Sequence, residues 1–157
     1  MRSMPGSTLL NKVQTMLVLD ILLLLAVFQI KHYLVDFTRL QTPWMYQNKG
    51  NPKHPGGYAH AALHALGTLV AIYAAMFIGV RILPSLKAVQ AEWVVTQALA
   101  VEFVWHWITD LVKTDVVKVK GWKADKHPQF WNALGVDQLS HQLCYLVLVA
   151  ILVKPLL

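Results

Sequence analysis

Four apolar stretches separated by three short polar ones set the pattern of this chain. They run from about residue 9 to 40, 58 to 83, 92 to 113 and 132 to 156. A helix rises 1.5 Å per residue, so about 20 apolar residues cross a hydrocarbon layer of about 30 Å, and each stretch is long enough. The pattern predicts an all-α fold: a four-helix transmembrane bundle, up-down-up-down, forming one integral membrane domain over residues 1–157. The first stretch is most apolar from Met16 to Ile30 and has no small-residue cleavage site after it. It is therefore expected to be a retained span, with Ser7 or Thr8 capping its start. The connection 41–57 contains three prolines and three glycines, which stop a helix. The connection after Lys113 alternates weakly and is expected to lie along the membrane surface through Val116, Val117, Val119 and Trp122.

Polar residues inside the apolar stretches change this picture. In AVEFVWHWITDLVK, Glu102, His106 and Asp110 stand four residues apart, which keeps them on one helix face. The same spacing joins His32 to Asp36, His60 to His64 and Asp137 to His141. If neighbouring helices alternate in direction, all four pairs fall at one end of the bundle, with Glu102 one turn deeper. Five of the seven histidines and three of the eight acids then share a layer. Hydrocarbon offers no water to compensate isolated polar groups, so their gathering at one depth points to a site. Asp20 lies near the other end, where an aqueous boundary is expected to solvate it.

Composition agrees with a membrane protein: 56% of residues are hydrophobic, 14% are charged, and the mean hydropathy is +0.46. The net charge of +6 resides in the connections, which argues for orientation signals and against nucleic-acid binding. Eight basic residues flank the site end (Arg39, Lys49, Lys53, Lys113, Lys118, Lys120, Lys123, Lys126). Five flank the other (Arg2, Lys12, Arg81, Lys87, Lys154), so the site is expected on the cytoplasmic face. The lone Cys144 excludes an intrachain disulfide.

Imidazoles mixed with carboxylates suit transition metals better than Ca or Mg, which prefer all-oxygen shells. The expected ligands are His32, Asp36, His60, His64, His106, Asp110, Asp137 and His141. The ion is expected to be Zn, as one or two ions, with Fe or Mn as the alternatives. Eight candidates exceed one coordination sphere, so Glu102, Gln41 and Gln138 are placed behind the ligands as residues that orient them. A metal lowers the pKa of a bound water to about 7, and Asp137 is the expected base. The chemistry this suggests is hydrolysis of a lipid headgroup or a membrane-associated ester or phosphoester. Trp105, Trp107, Trp122 and Trp131 are expected to be packing or interface anchors.

The segments HYLVDFTRLQTPWMYQNKG, HAALHAL, HWITDLVK and GVDQLSHQL resemble the family of small four-helix membrane proteins known as domain of unknown function 3307. The resemblance covers about Lys31 to Leu146. It rests on His32 and Asp36 followed by Gln41-Thr42 and Trp44-Met45, then His60 and His64, His106 and Asp110, and Asp137-Gln138 with His141. Pro43 stands where that family carries an acidic residue. The family implies no settled activity. Its looser similarity to bacterial inner-membrane proteins described as metal-dependent hydrolases implies a bacterial, or phage-encoded, protein of the inner (cytoplasmic) membrane.

Three other functions share these residues. Facing histidines also ligate haem iron in electron carriers, although carboxylates beside every histidine argue against it. Buried Asp and His chains relay protons or metal ions, but beyond Glu102 only Thr15, Asp20, Thr68, Gln90, Thr96 and Gln97 interrupt the apolar half. A non-catalytic interaction protein is the fourth reading.

Overall fold

The computed structural model describes residues 5–156, with side chains from residue 11 onward; Arg2 of the charge comparison lies outside them. Among the described residues every regular element is helical: α1 (Pro5–Phe37), α2 (Pro43–Asn48), α3 (Pro55–Phe77), α4 (Ala88–Lys120) and α5 (Pro128–Val153), ending in a 3₁₀ turn. The helices α1, α3, α4 and α5 pack in a ring, α1 on α3, α3 on α4, α4 on α5 and α5 on α1, while α2 rests on α3.

Prolines open these helices as well as interrupt the chain. Pro43, Pro55 and Pro128 each stand in the first turn, where a missing N–H costs nothing and φ is already helical. Thr42, His54 and His127 are the N-caps. His54 Nδ1 accepts from the Gly56 N–H at 3.0 Å. Helix α3 therefore starts three residues before the expected Tyr58, and α5 four before Asn132. At the other end of α3, Gly79 adopts φ +106° and ends the helix at Phe77, six residues earlier than Leu83. Val80, Ile82 and Leu83 then fold back onto the core.

Two further expectations are corrected. Helix α1 begins at Pro5, so Ser7 and Thr8 lie inside it rather than at its cap. The segment through Val116, Val117 and Val119 continues α4 instead of lying apart. No proline or glycine interrupts it, Lys118 and Lys120 complement the C-terminal dipole, and Gly121 at φ +64° provides the stop. A Cβ at Gly79 or Gly121 would meet nothing within 4 Å among the described residues, so a substitution there costs chiefly backbone strain. Gly79→Ala and Gly121→Ala are each expected to lower stability by about 1 kcal/mol in detergent melts.

Three helical segments are long and apolar enough to cross a membrane: Asn11–Phe37, Pro55–Phe77 and Pro128–Leu156. Helix α4 has the length without the apolarity, because Glu102, His106 and Asp110 lie within it. The apolar core occupies the half around Leu24, Phe28, Ile72, Leu148 and Leu152. Asp20 is buried at its edge and accepts the Arg81 N–H at 2.9 Å; it ties down the α3–α4 connection instead of facing water.

Candidate metal centre

The helix pairs read from the sequence meet at one end of the ring. Asp36 Oδ1, from α1, lies 3.0 Å from His60 Nε2 and 3.3 Å from His64 Nε2, both on α3. His106 Nε2, from α4, is 3.3 Å from His60 Nε2 and 4.0 Å from Asp36 Oδ1. Asp36, His60, His64 and His106 thus offer four ligand atoms within 4.8 Å of one another. A second group, His106, Asp110 and His141, satisfies the same limit and shares His106 with the first.

These spacings test whether an ion fits. Metal–nitrogen bonds of 2.0–2.1 Å at tetrahedral angles place ligand atoms roughly 3.3 Å apart, close to most of the separations above. Protons alone satisfy the cluster poorly: His60 Nε2 faces His106 Nε2, Asp36 Oδ1 and Asp110 Oδ2 at 3.0–3.3 Å. Both Asp110 oxygens, Asp137 Oδ1, His60 Nδ1 and His141 Nε2 are buried without a hydrogen-bond partner among the described residues. Lys49 Nζ still lies 3.0 Å from Asp110 Oδ1, a charge contact without hydrogen-bond alignment. Unmatched lone pairs converging in a dry pocket favour a cation. These His/Asp groups are able to hold a metal ion.

His32 and Asp137 fall outside both groups, and hydrogen bonding explains the place of His32. Asp137 Oδ2, a carboxylate oxygen, accepts from Gln138 Nε2 at 3.1 Å, which turns Gln138 Oε1 toward His32. His32 Nε2–H donates to that oxygen at 2.8 Å, leaving His32 Nδ1 to accept from the Tyr145 hydroxyl at 2.9 Å. Both ring nitrogens are engaged. Asp137 lies between His141 Nε2 and Lys113 Nζ, each 3.5 Å away.

The expected supporting residues occupy distinct places. Gln41 Nε2 reaches Asp36 Oδ1 at 3.4 Å and His60 Nε2 at 3.2 Å. Glu102 is fully buried one turn below His106, where Lys31 and Thr68 both donate to it. Thr68 therefore belongs to the site's floor rather than to the opposite half.

Two lysines were missed by reading for histidines and acids alone. Lys31 is only 6% exposed, and Nζ also contacts Tyr145 Oη at 3.2 Å and His64 Nδ1 at 3.5 Å. Gly67 makes room for it, since a Cβ there would lie 3.0 Å from Lys31 Cδ. Lys31 lies five residues before Asp36, off the four-residue register that joins Glu102 to His106, so the spacing rule alone does not pair it with Glu102. Lys49 counted as a loop charge, yet it is buried. Gly57 admits its backbone, and Gly50 sits where a side chain would overlap Thr114 of α4, so the loop is held against α3 and α4. Burial pushes the Lys49 ammonium pKa down, but Asp110 and Asp36 outweigh it and raise the value above 10.5. Without Lys49 and Lys113, six basic residues remain on the site side against five opposite, so the charge bias narrows.

Trp105 and Trp107 serve in packing, whereas Trp131 is exposed. Trp105 donates to Ser140 Oγ at 3.0 Å across α4 and α5, and Trp107 stacks on Tyr58. The His64 and His106 rings stack with centroids 3.4 Å apart, which leaves no porphyrin-wide gap between them. Among known proteins, no family model, no curated protein and no solved structure matches this chain.

Proposed function

We propose that the chain is a metal-dependent hydrolase of a membrane, akin to the small four-helix family it resembles. In this reading α4 crosses the bilayer with α1, α3 and α5 as an up-down-up-down bundle, its polar residues shielded by the other three helices. The site faces the cytoplasmic side of a bacterial inner membrane. The observation that carries the proposal is the spacing of Asp36 Oδ1 and the Nε2 atoms of His60, His64 and His106.

Zn is the first choice for this donor set; three of those four residues would hold it and leave a position open to water, with Asp110 and His141 available to a second ion beside His106. When bound, such an ion supplies Lewis acidity and lowers the pKa of water to about 7. Asp137 Oδ1, buried and free of hydrogen bonds, takes the proton of the attacking water. Lys113, next to Asp137 and partly open to solvent, attracts an anionic oxygen of the ester or phosphoester. Gln138 and His32 hold the Asp137 carboxylate in place. The apolar core separates this end from Asp20, which favours a one-sided site over a path through the protein.

The test uses full-length protein purified in detergent, with elemental analysis beside turnover of p-nitrophenyl phosphate and p-nitrophenyl butyrate. Bound metal is expected, with turnover lost to a chelator and restored by Zn. Asp137→Asn is expected to keep the metal and lose about 100-fold or more in rate. Metal-free protein without activity, or a Soret band, would sink the proposal.

A further inference from the structure

The seam between α4 and α5 opens outward into two adjoining cavities of about 670 and 540 Å³ that share Ile108, Thr109 and Ser140. The first begins at Ala100; the second continues past Val112 and Ala133 to Lys113 and Asp137. From Ala100 to Lys113 this trough follows α4 for about 20 Å, against about 15 Å for the hydrocarbon of one leaflet. Each volume lies within the ordinary range of small-molecule sites.

The trough's polar groups are not evenly spread. Ser140 Oγ accepts from Trp105 Nε1 and bonds Thr109 Oγ1, each at 3.0 Å, so the shared floor offers little to a polar guest. The charges stand at one end, where Lys113 Nζ lies 3.5 Å from Asp137 Oδ2. Asp137 Oδ1, buried and lacking a hydrogen bond among the described residues, lies 3.5 Å from His141 Nε2 of the site beyond. A guest matching this pattern has one hydrocarbon chain, because the trough lies along a single helix seam. It also has an anionic head, because its charged end presents an ammonium beside the proposed base.

We infer that the trough binds a single-chain amphiphile with a phosphate head, the chain along α4 and α5 and the phosphate at Lys113. This inference rests on the hydrolase reading, for which it names the substrate class. The phosphate oxygens meet the Lys113 ammonium, and the ester linkage is brought beside Asp137. Hydrolysis would then add water across the P–O bond. Asp137 would accept the water's proton, the phosphorus would keep the water's oxygen, and Asp137 would pass that proton to the departing alkoxide, which leaves along the trough as the alcohol.

The binding test uses the full chain in phosphatidylcholine nanodiscs, with a brominated dodecyl phosphate as the probe and brominated dodecyl maltoside as the neutral control. Trp105 and Trp122 line the trough and report the bromines by fluorescence quenching. Saturable quenching by the phosphate amphiphile alone is expected. Lys113→Gln and Ala133→Phe are each expected to raise its half-saturation roughly tenfold or more, since a charge-assisted contact and a filled cavity are both lost. Unchanged melting temperature in either variant shows that the fold persists. Linear quenching that is equal for both amphiphiles and indifferent to both substitutions, as ordinary bilayer lipid would give, overturns the inference. Saturable, variant-sensitive quenching by a metal-free, inactive protein keeps the trough and overturns hydrolysis. Metal binding and p-nitrophenyl ester turnover with only linear quenching does the reverse.

Discussion

His106→Ala is expected to strip the protein of tightly bound metal. No other residue belongs to both ligand groups. Its Nε2 stands 3.3 Å from His60 Nε2 and 3.4 Å from Asp110 Oδ2, and its ring is stacked between His64 and His141. Alanine removes a ligand from each group and opens the stack that holds the neighbouring rings. The loss of affinity should exceed the roughly 10–100-fold that follows from disturbing residues behind a metal's ligands. His32→Gln supplies the contrast: both His32 nitrogens are engaged by Gln138 and Tyr145, so that variant should weaken binding only within the milder range. Metal content after dialysis against a graded chelator reads both. Equal retention by wild type and His106→Ala would mean that the ion, if present, sits elsewhere.

The second large effect is on stability. Glu102→Gln leaves the Lys31 ammonium buried without its carboxylate, with Tyr145 Oη and His64 Nδ1 as its remaining polar contacts. Breaking a buried pair by removing one partner typically costs about 3–5 kcal/mol, most of it from the charge left behind. Lys31→Met combined with Glu102→Gln removes that charge while the new amide still accepts from Thr68. The double variant should therefore melt above Glu102→Gln alone, with a coupling energy of about 1 kcal/mol or more in a double-mutant cycle. Strictly additive melting shifts would show that the two side chains do not depend on each other.

The depth of the site was legible in the chain because spacing by four places residues on one helix face regardless of where the helix ends. His60 with His64, and His106 with Asp110, needed only that rule. Helix ends were harder to read. Proline breaks a helix in its interior and favours one in its first turn, and Pro55 and Pro128 take the second role, supported at α3 by the His54 side chain, which accepts the Gly56 N–H. The alternation in VVKVK resembled a surface strip until Gly121 set the end of α4. Lys31 and Lys49 look like any other basic residue in one dimension. Their burial depends on openings made by two glycines of α3, Gly67 beside Lys31 and Gly57 beside Lys49. The engagement of His32 was likewise hidden, since it is decided by Gln138 and Tyr145, more than 100 residues away.

The Lys31–Glu102 pair has a consequence for how the protein is made. A lysine or a glutamate entering a bilayer alone is costly, on the order of 2.5–3.5 kcal/mol for a central lysine, and α4 is the helix least able to offset such a penalty. Helices α1 and α3 precede α4 in the chain, so Lys31 and Thr68, which both donate to Glu102 in the folded protein, are synthesised before it. If α4 crosses the bilayer as proposed, its insertion would be templated by an acceptor surface rather than driven by its own lipophilicity, and biogenesis would acquire a direction from the N-terminus onward.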